Sequence, residues 1–356
     1  MNGKKWSLIF LSLYVAALIG IGVLVIIVDP YFHFHEPIKG MSYSLDNTFY
    51  INDGISKRFP YTGMITGTST TRSLRTKQAE ELFGGKFVRV TYHGEGFKGI
   101  NDNLRMAIRE NPNLNLVVRG IDPIWFITDE NWQGYEEYPE YLFDDIVWND
   151  VNYLYNKEIL WNDVIGEVVR TIRREPVDTF DDVAKNDTSP GRDAVLEGYE
   201  RPEREYTQNS QKETDAFFEL MDANLTKNVL SVVEENPDVT FYLFFPPYSI
   251  CWWDSLHQSG EDILTRRIDM EQAAIEKLLG HDNVRLFSFF NNYALVCNLD
   301  NYVDEVHYSN RVSDQILQWM KDGEYELTED NYLEYIAEIR TFYTQYDYDS
   351  MFAEGG

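Results

Sequence analysis

The segment Gly63-Met64-Ile65-Thr66-Gly67-Thr68-Ser69 decides how the chain is read: a short apolar strand runs into a glycine turn, and a hydroxyl stands where a helix begins. Beyond Ser69 the pattern predicts a helix to about Phe83, with Ala79, Leu82 and Phe83 on one face and Gly84-Gly85 as its stop. The alternation continues, with strands at Phe87–Tyr92, Leu114–Val118, Val239–Phe245 and Val284–Phe290. Helical patterns at about 99–110 and 213–235, and one from Ser259 to Gly280, separate them. This rhythm predicts an α/β fold, a three-layer sandwich with a mainly parallel five-stranded sheet.

A second informative stretch, Asp304-Glu305-Val306-His307, precedes a helical pattern at about 309–321. A nucleophilic hydroxyl needs a base that takes its proton and a carboxylate that fixes the tautomer of the base. Three residues of separation let the Asp304 carboxylate reach Nδ1 of His307, which leaves Nε2 facing outward for Ser69. Alone, Ser69 reads equally well as a helix cap and His307 as a structural histidine. Together they point to acyl transfer or ester cleavage, chemistry for which no cofactor is expected.

Toward the N-terminus, Trp6 to Val28 runs without a charge between Lys4-Lys5 and Asp29-Pro30. At about 1.5 Å per residue it spans a hydrocarbon core of roughly 30 Å. The lysines before it and the acidic bulk after it favour a cytoplasmic N-terminus and an extracytoplasmic main domain. A cleaved signal peptide is the competing reading. The stretch is, however, longer than an h-region of ~7–15 residues, and it lacks a small-x-small cleavage site.

The rest of the chain is acidic, with 59 Asp and Glu against 31 Lys and Arg and a formal net charge of −28. Such a surface repels nucleic acid, which is not expected as a partner. Cys251 and Cys297 are too few for a disulfide scaffold or a zinc site; one disulfide and two separate thiols are both compatible with them. No His pair has metal-ligand spacing on a helix, so no metal site is expected.

The organisation that follows is a cytoplasmic tail at 1–5, an anchor at 6–28, a linker at 29–60, an α/β domain at 61–322 and a C-terminal helical extension at 323–356. An insertion occupies about 123–211: residues 151–174 read as helical, and the polar, proline-containing stretch 175–211 reads as a mobile loop or lid.

With its strands in this order the chain resembles, over roughly residues 60 to 322, the SGNH hydrolase superfamily, whose sheet is flavodoxin-like. Gly67-Thr68-Ser69 stands in place of that family's Gly-Asp-Ser, and Asp304-x-x-His307 precedes the last helix of the domain. Gly94, in His93-Gly94-Glu95-Gly96, matches its second block, and Gly120-Ile121-Asp122 occupies the place of its Gly-x-Asn-Asp block. The resemblance implies Ser69 as nucleophile, with the N–H groups of Ser69 and Gly94 facing an oxyanion. Where the family has a donating Asn, this chain has Asp122, which cannot donate when ionised. Protonation by burial, neutralisation by Arg72 or Arg119, or a carboxylate turned away would each resolve the conflict; pairing with an arginine is the expectation.

The anchored layout resembles the membrane-attached branch that includes the D-alanyl transfer protein of teichoic acid assembly and the alginate O-acetylation proteins. Phe245-Pro246-Pro247-Tyr248-Ser249 and Asn298-Leu299-Asp300-Asn301-Tyr302 look like segments of an uncharacterised branch of such proteins in Gram-positive bacteria, a match that supports the grouping and supplies no reaction. It is the anchored layout that implies acyl transfer or ester hydrolysis on a cell-envelope glycan or polymer, beside a multipass membrane O-acyltransferase. A non-catalytic glycan-binding or scaffold protein is the alternative.

Overall fold

The structure, a computed structural model, describes residues 3–134, 139–144, 146–184, 189–206 and 209–352. The chain divides into two compact units, Met1–Pro60 with Tyr135–Val183 and Tyr61–Gly134 with Ala184–Gly356.

The first unit begins with a helix over Gly3–Val28, long and apolar enough to cross a membrane, a property it shares with signal sequences. Only Gly22, Val25 and Val28 along it are buried, spaced to form one stripe near its end. The helix stops at Asp29, which takes a left-handed φ of +43°. Its buried carboxylate accepts the main-chain N–H groups of His33, Phe34 and His35 at 3.0, 2.7 and 3.0 Å, and the Tyr153 hydroxyl at 3.0 Å. Residues 29–60, expected as a linker, carry an 11-residue helix, Thr48–Arg58. They share a core with part of the insertion: Ser42 N–H donates to Thr171 Oγ1 at 2.9 Å and Ser44 N–H to Glu167 Oε1 at 2.8 Å.

The second unit is built on a six-stranded sheet of order β2-β1-β3-β4-β5-β6. Its strands are β1 (Gly63–Gly67), β2 (Phe87–Thr91), β3 (Leu116–Gly120), β4 (Thr240–Phe245), β5 (Val284–Ser288) and β6 (Glu326–Leu327). The first five are mutually parallel, and β6 runs antiparallel to β5. The expectation of five strands is therefore corrected to six. The extra strand is two residues long, below any detectable alternation, and is fixed by partners distant in sequence, including the Arg285 guanidinium on the Glu326 carboxylate. Strands β1 and β2 are buried throughout, as a parallel sheet covered on both faces requires. Thr76–Phe83 packs on Asn310–Asp322, while Phe97–Glu110 and Glu261–Leu278 both pack on Gln211–Leu225. Right-handed crossovers place these two groups on opposite faces.

Of the polar stretch 175–211, residues 185–188 and 207–208 lie outside the described residues. Residues 189–206 belong to the second unit, where the fully buried Asp254 carboxylate accepts Arg201 Nε and Nη2 at 2.8 and 3.0 Å and the Tyr199 hydroxyl at 3.1 Å. Cys251 and Cys297 are both free thiols.

Strand order reverses at β1, and the crevice beyond the carboxyl ends of strands at such a reversal is where open α/β sheets bind ligands. Close approach there depends on glycine. A Cβ on Gly120 would lie 2.7 Å from Thr71 Cγ2, and one on Gly67, whose φ is +146°, would lie equally near the same methyl. Gly120→Ala is expected to lower stability by about 1–3 kcal/mol through overpacking; urea unfolding that shows no loss would contradict this account of the turn.

Candidate active site

Ser69 opens a single 3-10 turn, Ser69–Thr71, directly after β1, with Thr68 as its cap. The turn is closed by Thr71 Oγ1 donating to Thr68 O at 2.8 Å. Main-chain pairing brings the next strand end alongside, since Tyr92 N–H donates to Gly67 O at 2.9 Å.

From the far end of the chain, a bridge between Tyr302 and Tyr308 and a bond from Val303 N–H to His307 O at 2.9 Å fold residues 302–308 into a tight loop. Two straps hold it. Tyr308 donates its hydroxyl to Thr70 O at 2.6 Å, and Ser249 donates its N–H and Oγ–H to Glu305 O at 3.0 and 2.8 Å. His307 Nε2 then lies 2.7 Å from Ser69 Oγ, across 238 residues of sequence. His307 Nδ1 lies 2.7 Å from Asp304 Oδ2, whose other oxygen accepts the N–H groups of Val306 and His307 at 2.9 and 2.7 Å.

The charges support this relay. Burial alone would lower the His307 pKa, but the hydrogen bond to Asp304 and its charge, with that of Asp122, outweigh burial and leave it raised. Burial likewise pushes Asp304 up, and its bonds to His307 and Val306 and the imidazolium charge bring it below its ordinary value. Ser69 is half-buried, and the His307 side chain retains 30% of its exposure, so the hydroxyl and its base are open to a ligand.

Asp122 joins this group from behind. Its carboxylate is fully buried and accepts three hydroxyls: Tyr248 at 2.6 Å, Thr68 at 2.7 Å and Thr70 at 3.1 Å. Burial raises its pKa against the pull of Tyr248, Thr68, Thr70 and the His307 charge. Among the described residues no ion pair joins it to an arginine, so the expected pairing is corrected: three hydroxyls from two separate segments do that work. Arg119 is buried elsewhere in the unit and donates to the main-chain oxygens of Asn228 and Phe97 at 2.9 and 3.5 Å. Burial pulls its guanidinium down to about 9. Arg72 is half-buried and close enough to His93 to depress its pKa, second only to burial, with His307 and Arg89 contributing further. Gly94 is exposed, at φ +66°, with open space where a side chain would be.

Sequence reasoning missed Thr68, Thr70, Tyr248 and His93 as parts of this group. The hydroxyl-rich run Thr68-Ser69-Thr70 was a visible signal for the first two. Nothing in the sequence ties Tyr248 to Asp122, 126 residues away. A cavity of about 810 Å³ lies beside the C-terminal helix, lined by Tyr293, Phe342 and Tyr346, and none of its lining residues belongs to the Ser69 group. Among the described residues no cluster of three or more His, Cys, Asp and Glu side chains could hold a metal ion.

Comparison with known proteins adds little. No family model matches the chain, and no curated protein matches it. A solved structure described as "a putative platelet activating factor from Streptococcus pneumonia" is similar at a TM-score of 0.38 and 11% identity, over 78% of this chain and 90% of that one.

Two measurements test the geometry. The imidazole of His307 should titrate above its ordinary 6.5 by NMR, and Asp304→Asn should bring the midpoint down; an unchanged midpoint would break the proposed coupling. Tyr248→Phe removes a donor from a buried carboxylate and should cost about 1.5–3 kcal/mol in urea unfolding.

Proposed function

We propose that this chain is a membrane-anchored, SGNH-like acyl-transfer enzyme that transfers or removes a small acyl group on an extracytoplasmic envelope glycan or polymer. The observation that carries the reading is the continuous relay from Ser69 Oγ through His307 to Asp304, with both links at 2.7 Å. His307 Nε2 takes the proton of Ser69 as the hydroxyl attacks the acyl carbonyl. Asp304 holds the Nδ1–H tautomer and stabilises the imidazolium that forms. The N–H groups of Ser69 and Gly94 face the oxyanion, and the leaving alcohol receives the proton from His307. A sugar hydroxyl or water, deprotonated by the same imidazole, then releases the acyl group from Ser69. Exclusion of water decides between transferase and esterase, and an adjacent multipass O-acyltransferase would favour transfer.

The non-catalytic reading rested on Asp122 as an ionised group beside the oxyanion. With that carboxylate bonded to Tyr248, Thr68 and Thr70, no observation among the described residues favours it.

A fluorophosphonate should label Ser69. Ser69→Ala should abolish labelling and His307→Ala should slow it by about four orders of magnitude or more, while His257→Ala and His281→Ala should leave it unchanged. A folded wild type that reacts with neither this probe nor activated acetyl esters would overturn the enzyme reading.

A further inference from the structure

The first unit carries an apolar surface that its own fold leaves uncovered. Outside the N-terminal helix, Ile146, Val147, Trp148, Val151, Tyr155 and Trp161 are all exposed, Trp148 by 89% and Val147 by 76%. These six fall in one stretch, 146–161, while Ile38, Val169, Ile172 and Val177 are exposed elsewhere in the unit. In the larger second unit the exposed large apolar side chains are spread from Ile124 to Phe352. In a chain of net charge −28, residues 146–161 hold three charged side chains, the exposed neighbours Lys157 and Glu158, opposite in sign, and Asp150. Asp150 is turned inward, 13% exposed, with Oδ1 3.0 Å from His33 Nε2.

The position of this surface says what covers it. Val151–Leu154 and the wide π-type turn Ile159–Val164 both pack against the N-terminal helix Gly3–Val28. The contact reaches Gly22, where an added Cβ would lie 3.1 Å from Tyr155 Oη. Gly22 lies six residues before the end of the helix, about 9 Å along its axis. The uncharged run from Trp6 is about 35 Å long against a hydrocarbon core of roughly 30 Å, so Gly22 falls inside the edge of that core. A bilayer that receives the helix therefore meets Tyr155 and its neighbours. The junction is stiff, because Asp29 gathers three main-chain N–H groups and the Tyr153 hydroxyl directly after the helix.

We infer that residues 146–161 form a second membrane-contacting surface, docked in the bilayer interface beside the N-terminal helix. Trp148, Tyr155 and Trp161 lie at the boundary between acyl chains and headgroups, where rings with a polar tip are favoured. The surface adjoins the helix and carries no net charge from its exposed side chains, since Lys157 and Glu158 offset each other, which suits acyl chains and zwitterionic headgroups better than an aqueous partner. It holds the first unit against the membrane at two places rather than by a flexible tether.

The inference rests on the N-terminal helix crossing a bilayer, and the experiment separates the two claims. Full-length protein is reconstituted in phosphatidylcholine nanodiscs whose lipids are brominated near the top of the acyl chain, and quenching of tryptophan emission is read. Trp148→Phe/Trp161→Phe, mild changes at exposed positions, should remove a clear part of the quenched signal of the eight tryptophans. Resistance to carbonate extraction from cell membranes should be the same in both proteins. Quenching identical in wild type and double variant, with both membrane-resident, would overturn the docking surface and leave the anchor intact. Protection of these tryptophans only when other membrane proteins are added would overturn it in favour of a protein partner. Release of the wild type by carbonate would overturn the anchor and the docking surface with it.

Discussion

The geometry around Ser69 depends on one buried carboxylate. Asp122 is fully buried, and a lone charge there would be strongly unfavourable. Three hydroxyls, from Thr68 and Thr70 in the turn after β1 and from Tyr248 after β4, point at it together. Each hydroxyl is thereby fixed by an acceptor that it cannot abandon cheaply, and Ser69 lies between two of them. The network joins the carboxyl ends of β1, β3 and β4. Gly67 and Gly120 complete it by letting those ends approach around the Thr71 methyl.

The loop carrying Asp304 and His307 is positioned by different means. Its internal bonds set the carboxylate against the imidazole, and the straps through Tyr308 and Ser249 set the imidazole against Ser69. The two tasks are separable in energy as well as in space. The Asp304 to His307 contact is partly solvated, so its strength is moderated by screening. The straps end on main-chain oxygens, and Tyr308 makes its bond in the interior, where such bonds are costly to lose.

The first unit follows another logic. There an apolar helix, a buried Asp29 and an exposed aromatic stretch sit in one compact body, although more than a hundred residues separate the helix from the stretch. Asp150, in the middle of that stretch, is turned inward onto His33, which keeps its charge off the exposed aromatic surface.

How much of this was legible depended on the range of each interaction. Strand and helix alternation, the apolar run before Asp29 and the Asp304-x-x-His307 pairing are set by neighbours a few residues apart, so spacing alone reveals them. Strand β6 left no such trace, because two residues carry no period and their pairing comes from β5. For Asp122 the sequence suggested an arginine, since Arg119 lies three residues away. Side chains along β3 and the turn after it leave on different sides, so Arg119 donates to the Asn228 and Phe97 carbonyls while Asp122 meets Tyr248. Residues 29–60 read as a linker because their partners, Tyr153, Glu167 and Thr171, lie more than a hundred positions on. The sequence by itself determined the five parallel strands, the N-terminal apolar helix and the local coupling of base to carboxylate. Only the tertiary structure decided which hydroxyls surround Asp122 and that Ser69 meets His307, because contacts across 126 and 238 residues are settled by packing and not by the period of the chain.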